Sequence, residues 1–406
     1  MPSRHLPKRR LSLTNVGGAP VLSGEASLAA TLARALDVEP GAGLERWTHG
    51  FHTYAARMHP DTAGRLVRAL SRAGAAVLDP FCGSGTVVVE ALVHGARAVG
   101  RDLNPVAIRL ARMRAAVVPE ARRRAVRERA WRIAGIAAGR VRQGHLPPAP
   151  LPPGADQFDA RTFAELAWLR AAIAADRDPF VREALALVLS SILVKVSCRA
   201  SDTDSRYQPK CRPPGAATAI FGHKVDELCR RWKALREALP SPLYPADLGI
   251  DDARRLRTVP DASIDLVVTS PPYANVYDYA EQHALRAAWL GEDAGALRAN
   301  EVGARRGFRD ARRGLERWEH DGAAWVAAVA RVLRPSGLAC VLGGDGATPL
   351  GPVRFDECLG RWAVAAGLRV EASAAQRRPI FDEETRRAFR GRDRREHLIA
   401  VGRGEM

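Results

Sequence analysis

Long apolar runs are missing from this chain of 406 residues, and the two longest, residues 184–196 and 324–333, are short and interrupted by charge. Neither reaches the roughly 20 apolar residues that a membrane-spanning helix needs. The basic start of the chain, residues 1–13, is followed by no apolar stretch of the kind that forms a secretory signal. We therefore expect a cytoplasmic protein without a membrane partner.

Metal-binding and disulfide patterns are also missing. The six cysteines are scattered without any CxxC spacing, which argues against a structural zinc site and a disulfide scaffold. His52 and His59 form a pair that lacks the other ligands of a metal site. We expect reduced thiols and no bound metal.

Acidic residues are in deficit. The chain has 45 Asp and Glu against 62 Lys and Arg, a net charge of +17. Such a charge suggests a polyanionic partner, and nucleic acid is the first candidate. The strong preference for Arg over Lys is also what a GC-rich genome produces, so charge alone only favours this partner.

The pattern of short apolar strands and amphipathic helices predicts an α/β protein. A βαβ unit over residues 75–117 predicts a parallel sheet, and α/β segments resume at residue 250. We expect a discontinuous catalytic domain made of residues 46–117 and 246–406. Residues 118–245 are predicted to be a mostly helical insertion, and residues 1–45 an N-terminal extension.

A glycine-rich turn follows the first strand of this unit. It reads Asp79-Pro80-Phe81-Cys82-Gly83-Ser84-Gly85-Thr86, and the next strand ends in Asp102 and Asn104. Glycines let a backbone approach a ligand closely, and an acid at the end of the second strand can bind two ribose hydroxyls. A glycine turn alone is often only a tight connection, but the two strand-end acids favour a cofactor site. No GxxxxGK[ST] sequence is present, which disfavours a nucleoside triphosphate.

A second turn follows the apolar strand at residues 264–269 and reads Ser270-Pro271-Pro272-Tyr273. Two prolines stiffen this turn and fix the direction of the carbonyl between them. That carbonyl and the Ser270 hydroxyl can accept hydrogen bonds from an aromatic amino group, and Tyr273 offers a ring for stacking. These residues thus favour a reaction at an exocyclic amino nitrogen of an aromatic ring. No Pro-Cys dipeptide supplies the nucleophile that methylation of cytosine C5 needs.

These turns resemble motifs of the DNA methyltransferases that methylate amino groups. The resemblance implies a Rossmann-like class I methyltransferase fold, a twisted and mostly parallel sheet with helices on both faces, and S-adenosyl-L-methionine as the cofactor. It also implies double-stranded DNA with the target base flipped out. The implied catalytic residues are Ser270, Pro271, Pro272 and Tyr273. The implied cofactor-binding residues are Tyr54, Asp79, Pro80, Phe81, Gly83, Ser84, Gly85, Thr86, Asp102, Asn104 and Asp252.

Several details of the resemblance bear on the substrate. Residues 50–60, GFHTYAARMHP, are similar to the segment that closes over the methionine end of the cofactor, with Ala55 and Arg57 in place of proline and lysine. Asp251 is the rival of Asp252 for the cofactor's adenine amino group. Serine at position 270 favours cytosine N4 over adenine N6. The motif order places the probable target-recognition region in the insertion, and a cognate restriction endonuclease is a possible partner.

Other functions share these motifs. An RNA guanine-N2 methyltransferase carries the same glycine turn, but with Asn or Asp before Pro-Pro-Tyr and with an N-terminal RNA-binding domain. A protein-glutamine methyltransferase faces the same chemical problem with Asn-Pro-Pro-Tyr. A catalytically silent nucleic-acid-binding module is the alternative from another class. The loop at residues 201–207, SDTDSRY, reads either as a target contact or as a polar surface loop.

Overall fold

The computed structural model describes residues 18–39, 41–54, 57–201, 204–210, 212–380 and 383–403. Ala55, Asp202, Thr203 and the basic residues 1–17 therefore lie outside the described residues. The strands are β1 Val21–Gly24, β2 Ala76–Asp79, β3 Arg97–Asp102, β4 Arg199–Ser201, β5 Asp204–Tyr207, β6 Asp247–Ile250, β7 Ile264–Thr269, β8 Leu333–Gly344, β9 Gly346–Thr348, β10 Gly351–Val353, β11 Arg369–Arg377 and β12 Arg395–Gly402.

The helices alternate with these strands at both ends of the chain and follow one another in its middle. They are α1 Ala26–Leu36, α2 Pro60–Leu70, α3 Thr86–Val93, α4 Pro105–Ala115, α5 Glu120–Arg142, α6 Ala160–Ala174, α7 Pro179–Val196, α8 Ala216–Ala238, α9 Tyr279–Leu290, α10 Gly295–Asn300, α11 Ala311–Val332, α12 Phe355–Ala365 and α13 Glu383–Ala388. No helix in the described part of the chain combines the length and apolarity that a bilayer crossing requires.

Eight strands form one central sheet in the order β1-β11-β12-β8-β7-β2-β3-β6. The neighbours from β6 to β8 are parallel, whereas β12 runs antiparallel to both β8 and β11. Among the described strands from β6 to β11, only β12 is reversed, and the strand order reverses beside β2, which is the topology of the Rossmann-like class I methyltransferase fold. The edge strand β1 is a second reversed strand, added to β11. The fold class expected from the sequence is confirmed.

Alternate residues of the central strands bury into two separate cores, because side chains alternate between the faces of a strand. Val77 and Val268 pack on one face with α1, α2 and α3, whereas Leu78 and Val267 pack on the other with α11 and α12. Helices therefore cover both faces, and the carboxyl ends of β2, β3 and β7 lie at one edge, where ligands bind in such sheets.

The N-terminal residues differ from the expected extension. β1 pairs antiparallel with β11 at the edge of the central sheet, and α1 contributes the buried Leu32 and Leu36 to one of its cores. β1 thus belongs to the central sheet, and α1 packs on one of its faces. The physical reason is that β11 would otherwise present an unpaired edge, which β1 covers.

Helices α5 to α8 pack against one another around Phe221, Leu228 and Trp232, and this third core continues into α4 and α9. The helical character expected of residues 118–245 is seen in these four helices. Of the polar segment at residues 201–207, Ser201 ends β4 and Asp204–Tyr207 form β5, and these two strands pair between α7 and α8.

Candidate active site

The glycine-rich turn joins β2 to α3 and needs glycine at two positions. Gly83 and Gly85 have φ angles of +49° and +84°, a region that other residues resist. A Cβ on Gly83 would lie 3.1 Å from Cε1 of Tyr54, and one on Gly85 would lie 3.0 Å from Cβ of Ala111. The turn is therefore pressed against its neighbours.

Asp102 at the end of β3 organises this turn. Its Oδ2 accepts a hydrogen bond from the N–H of Gly83 at 2.8 Å, and its Oδ1 accepts one from the N–H of Asn104 at 2.8 Å. Burial raises the pKa of Asp102 to about 6, although both hydrogen bonds favour its charged form. The carboxylate is thus held in place by the backbone and would gain from further donors.

Asp79 at the end of β2 joins the cofactor half of the site to the catalytic half. Its Oδ1 accepts hydrogen bonds from the Thr269 hydroxyl at 2.7 Å and from the N–H of Phe81 at 3.1 Å. Burial raises the pKa of Asp79 to about 7. Thr269 immediately precedes Ser270, so this bond fixes the spacing between the two turns.

Both turns line one cavity at the carboxyl edge of the sheet. Of the predicted residues, those that line it are Tyr54, Asp79, Pro80, Phe81, Gly83, Ser84, Thr86, Asp102, Asn104, Asp252, Ser270 and Pro272. Gly85, Pro271 and Tyr273 are not among its lining residues. Gly85 instead begins α3, and Pro271 is buried beneath the turn.

The cavity also contains unsatisfied polar groups that fit a bound polar molecule. The Asn104 Nδ2 and the Thr86 hydroxyl are buried and have no hydrogen-bond partner within the described chain. Both residues line the cavity beside the buried carboxyls of Asp79 and Asp102. An acceptor on a ligand would satisfy Asn104 Nδ2, and donors or cations would satisfy the two carboxyls. S-adenosylmethionine offers both kinds of group: a carboxylate and ribose hydroxyls, an ammonium group and a sulfonium.

The two rival aspartates after β6 have different environments. Asp251 is used within its own turn, where its Oδ2 accepts the N–H and the hydroxyl of Thr258 at 2.8 and 2.6 Å. Asp252 lines the cavity and is held by Arg254, whose Nη2 lies 2.7 Å from its Oδ2. Arg254 keeps the pKa of Asp252 below its usual range, so an ionised acceptor faces the cavity.

A fully buried arginine clamps the upstream segment onto the glycine turn. Arg114 donates from Nη1 to the Ser84 hydroxyl at 2.6 Å and from Nη2 to the His52 carbonyl at 2.6 Å. The Tyr54 ring stacks on His283 with 4.6 Å between the ring centroids. Arg114 and the stack together hold Tyr54 over Gly83, which brings the segment at residues 50–60 to the cofactor side of the cavity.

The Ser-Pro-Pro-Tyr turn departs in one respect from the sequence interpretation. The Tyr273 hydroxyl donates to Oε1 of Glu396 at 3.0 Å, and the ring lies over Gly344, where a Cβ would be 2.7 Å from the ring. The ring is therefore directed toward β8 and β12 and not toward the cofactor cavity. Glycine at position 344 makes this placement possible.

Some cavity residues were not selected from the sequence. Tyr279 and Glu301 line the cavity, and Glu301 accepts from the N–H of Tyr279 at 2.5 Å and pairs with Arg306 at 2.7 Å. A signal was present in the segment Glu301 to Arg306, which is similar to a family motif. Arg57, Met58, Cys82, Leu103, Ala253, Leu297 and Val302 complete the lining.

The basic helix α5 is partly neutralised by its own neighbours. Arg122, Arg127 and Arg129 form ion pairs with Asp178, Asp226 and Asp176 at 2.9, 2.7 and 2.6 Å. These arginines hold the helices of the insertion together. Any phosphate contact by α5 therefore depends on its remaining arginines.

Asp345, Asp356 and His397 form a trio of possible metal ligands within the described residues. However, Arg354 Nη1 lies 2.9 Å from Oδ2 of Asp345, and Asp345 Oδ1 accepts the N–H of Phe355 at 3.1 Å and lies 3.0 Å from Nε2 of His397. An arginine already supplies the positive charge there. The trio thus anchors the start of α12.

Comparison with known proteins supports the resemblance drawn from the motifs. A DNA methylase family of N6 and N4 methyltransferases matches residues 37–113, which include the glycine turn and Asp102. The Type II methyltransferase M.MvaI of Kocuria varians is 39% identical over 61 residues, which are 14% of this chain and 13% of that protein's length. The expected resemblance is confirmed, and this family uses S-adenosylmethionine.

Two solved methyltransferase structures are similar at low sequence identity. TrmN from Thermus thermophilus is 12% identical with a TM-score of 0.32, and the match covers 85% of this chain and 49% of that one. The rRNA methyltransferase aviRa from Streptomyces viridochromogenes is 12% identical with a TM-score of 0.36, and covers 91% of this chain and 95% of that one.

Proposed function

We propose that this chain, whose residues 37–113 match the DNA methylase family, is a site-specific DNA methyltransferase that acts on an exocyclic base amino group. One observation carries the proposal: the turn at Gly83 and the turn at Ser270 line the same cavity. A donor held by the first turn and an acceptor nitrogen held by the second would then meet across it. Two turns on opposite faces of the sheet could not act on each other.

Different residues of the cavity would bind different parts of the cofactor. Asp79 and the backbone of the glycine turn would hold the methionine part, Asp102 the ribose hydroxyls and Asp252 the adenine amino group. Tyr54 would cover the methionine end, since it lies directly over Gly83. When bound, S-adenosylmethionine supplies an electrophilic methyl group on sulfur and leaves as S-adenosylhomocysteine.

Ser270 and the carbonyl of Pro271 would prepare the amino nitrogen. The lone pair of an exocyclic amino group is conjugated with the ring, which makes the nitrogen a poor nucleophile. Two acceptors aimed at its N–H bonds favour a pyramidal nitrogen whose lone pair points at the methyl group. The N–C bond forms as the S–C bond breaks, and a proton then passes from the nitrogen to water. Positioning and electrostatics supply the rate, and no covalent enzyme intermediate is needed.

The target base must leave the duplex to reach this position. Serine at position 270 favours cytosine N4 over adenine N6 as the acceptor. The insertion at residues 118–245 would read the target sequence, and the net charge of +17 suits a polyanion. A cognate restriction endonuclease stays a prediction that a nuclease assay with purified partners would test.

Incubation of the protein with tritiated cofactor and with DNA or RNA, followed by nucleoside mass spectrometry, tests the proposal. N4-methylcytosine in DNA is the expected product. N6-methyladenine would shift the base but keep the enzyme class, and N2-methylguanosine in RNA would favour the RNA enzyme. No cofactor binding in calorimetry and no labelled product would favour the silent binding module.

A further inference from the structure

A polar chain continues from the catalytic turn into the last two strands of the sheet. The Tyr273 hydroxyl donates to Glu396, and Glu396 pairs with the guanidinium of Arg378 through its Nη2. Gly344, paired with Glu396 in the β8–β12 ladder, leaves the space that the Tyr273 ring fills. These hydrogen bonds therefore link Arg378 to the turn that would hold the target amino group.

Arg378 is held firmly in this position. Its backbone N–H donates to the Arg394 carbonyl at 2.8 Å just beyond β11, and its side chain is 11% exposed. Burial lowers the pKa of Arg378 to about 10, so it keeps its charge at neutral pH. The pKa of Tyr273 is raised by burial, and both Arg378 and the Ser270 hydroxyl act on the phenol in the opposite direction. The hydroxyl of Tyr273 and the guanidinium of Arg378 thus share one acceptor, Oε1 of Glu396.

One nitrogen of the Arg378 guanidinium is left without a partner in the described part of the chain. Nη1 of Arg378 is buried and has no hydrogen-bond partner among the residues that the structure describes. A buried donor left unpaired costs free energy, and such groups are normally satisfied. The cost is understandable if a ligand completes the bond.

We propose that Arg378 is the residue that selects the target base, by donating from Nη1 to the ring acceptors beside the amino group. Cytosine presents N3 and O2 side by side next to N4. Adenine presents a single acceptor, N1, next to N6, followed by a C–H group. A guanidinium, which donates only, therefore matches cytosine better than adenine. This inference rests on the proposed function and names its base-binding subsite.

Nucleotide binding tests the inference without relying on turnover. Binding of 2′-deoxycytidine and 2′-deoxyadenosine monophosphates is measured by NMR in the presence of sinefungin, a cofactor analogue. The wild type is expected to prefer the cytosine nucleotide by about tenfold or more, and Arg378→Gln to lose that preference. Arg378→Lys keeps the positive charge beside Glu396 but removes the planar guanidinium. It therefore separates loss of the guanidinium donors from loss of folding. Arg377→Gln is the matched control, because Arg377 is the neighbouring residue and its side chain is 70% exposed.

The outcomes distinguish the subsite from the proposed function. Equal binding of the two nucleotides by the wild type, or a cytosine preference that survives Arg378→Gln, overturns the role of Arg378. A loss of duplex affinity in Arg378→Gln as large as its loss of methyl transfer would show a phosphate contact instead, which also overturns it. A wild type that prefers the cytosine nucleotide but methylates neither DNA nor RNA refutes the proposed function alone.

Discussion

Asp79 leads us to expect a cofactor affinity that depends on pH. Its side chain lines the cavity and burial raises its pKa to about 7, so in the free protein it is mostly protonated at pH 6. S-adenosylmethionine carries a sulfonium and an ammonium group, and positive charge nearby favours the ionised carboxylate. Binding below pH 7 must therefore release the proton of Asp79.

The size of the effect follows from this linkage. If the bound cofactor returns the pKa of Asp79 to its ordinary value of 3.8, the dissociation constant rises about tenfold for each pH unit below 7. Between pH 7 and pH 5 this amounts to about fiftyfold, or ~2 kcal/mol, because half of Asp79 is already protonated at pH 7. The sign is fixed: affinity falls as pH falls, because the free protein binds the proton and the complex does not. Asp102, whose pKa is about 6, adds to the slope below pH 6.

Isothermal titration calorimetry between pH 5 and pH 7.5 measures the slope, and this range keeps the cofactor's ammonium group charged. Asp79→Asn is expected to remove the slope between pH 6 and pH 7. Glu90→Gln is the matched control: burial also raises the pKa of Glu90 to about 7, but Glu90 contacts His49 at 2.9 Å and does not line the cavity. A wild-type affinity that stays constant over this range would refute the reasoning. So would a slope that Glu90→Gln removes and Asp79→Asn keeps.

Three substitutions probe the rest of the site. Ser270→Ala is expected to slow methyl transfer about a hundredfold or more while the calorimetric affinity for the cofactor stays within about twofold, since Ser270 would contact only the amino group; a wild-type rate would count against the catalytic turn. Asp102→Ala is expected to weaken cofactor binding by about tenfold to a hundredfold through loss of charge-assisted hydrogen bonds, and unchanged binding would remove Asp102 from the site. Gly83→Ala is expected to lower the melting temperature and cofactor affinity, because φ is +49° and Tyr54 is too close; Gly139→Ala in α5 meets open space and serves as the control.

Local patterns predicted most of the central elements correctly. The strand β7, Ile264–Thr269, has the predicted bounds, and the helix α6, Ala160–Ala174, lies in the segment predicted to be mostly helical. Each has a strong internal signal, an apolar run ended by Ser-Pro-Pro in one case and an Asp159 cap in the other. Patterns of this kind depend on a few neighbouring residues, which a single sequence contains.

Elements without such a signal were missed. β6, Asp247–Ile250, is partly exposed and has no clear alternation, and it is a strand because it pairs with β3 along its length. The apolar run at residues 324–333 marks only the last part of α11, which begins at Ala311, where the Asp310 side chain accepts the N–H of Arg313 at 3.1 Å. Its exposed first turns lack the apolar periodicity that marks its buried end.

The sequence by itself determined which turns carry glycine, acid, serine and proline, and these residue types predict a site for a cofactor and an amino group. Only the tertiary structure decided which atoms share a cavity. It placed Asp252 and not Asp251 among the residues that line the cavity, and it turned the Tyr273 ring toward Gly344. It also brought Glu396, with its partner Arg378, to the Tyr273 hydroxyl, although both are more than 100 residues away from Tyr273 in the chain. The reason is that these choices depend on which strands become neighbours, and pairing between distant segments leaves no mark in the local pattern of residues.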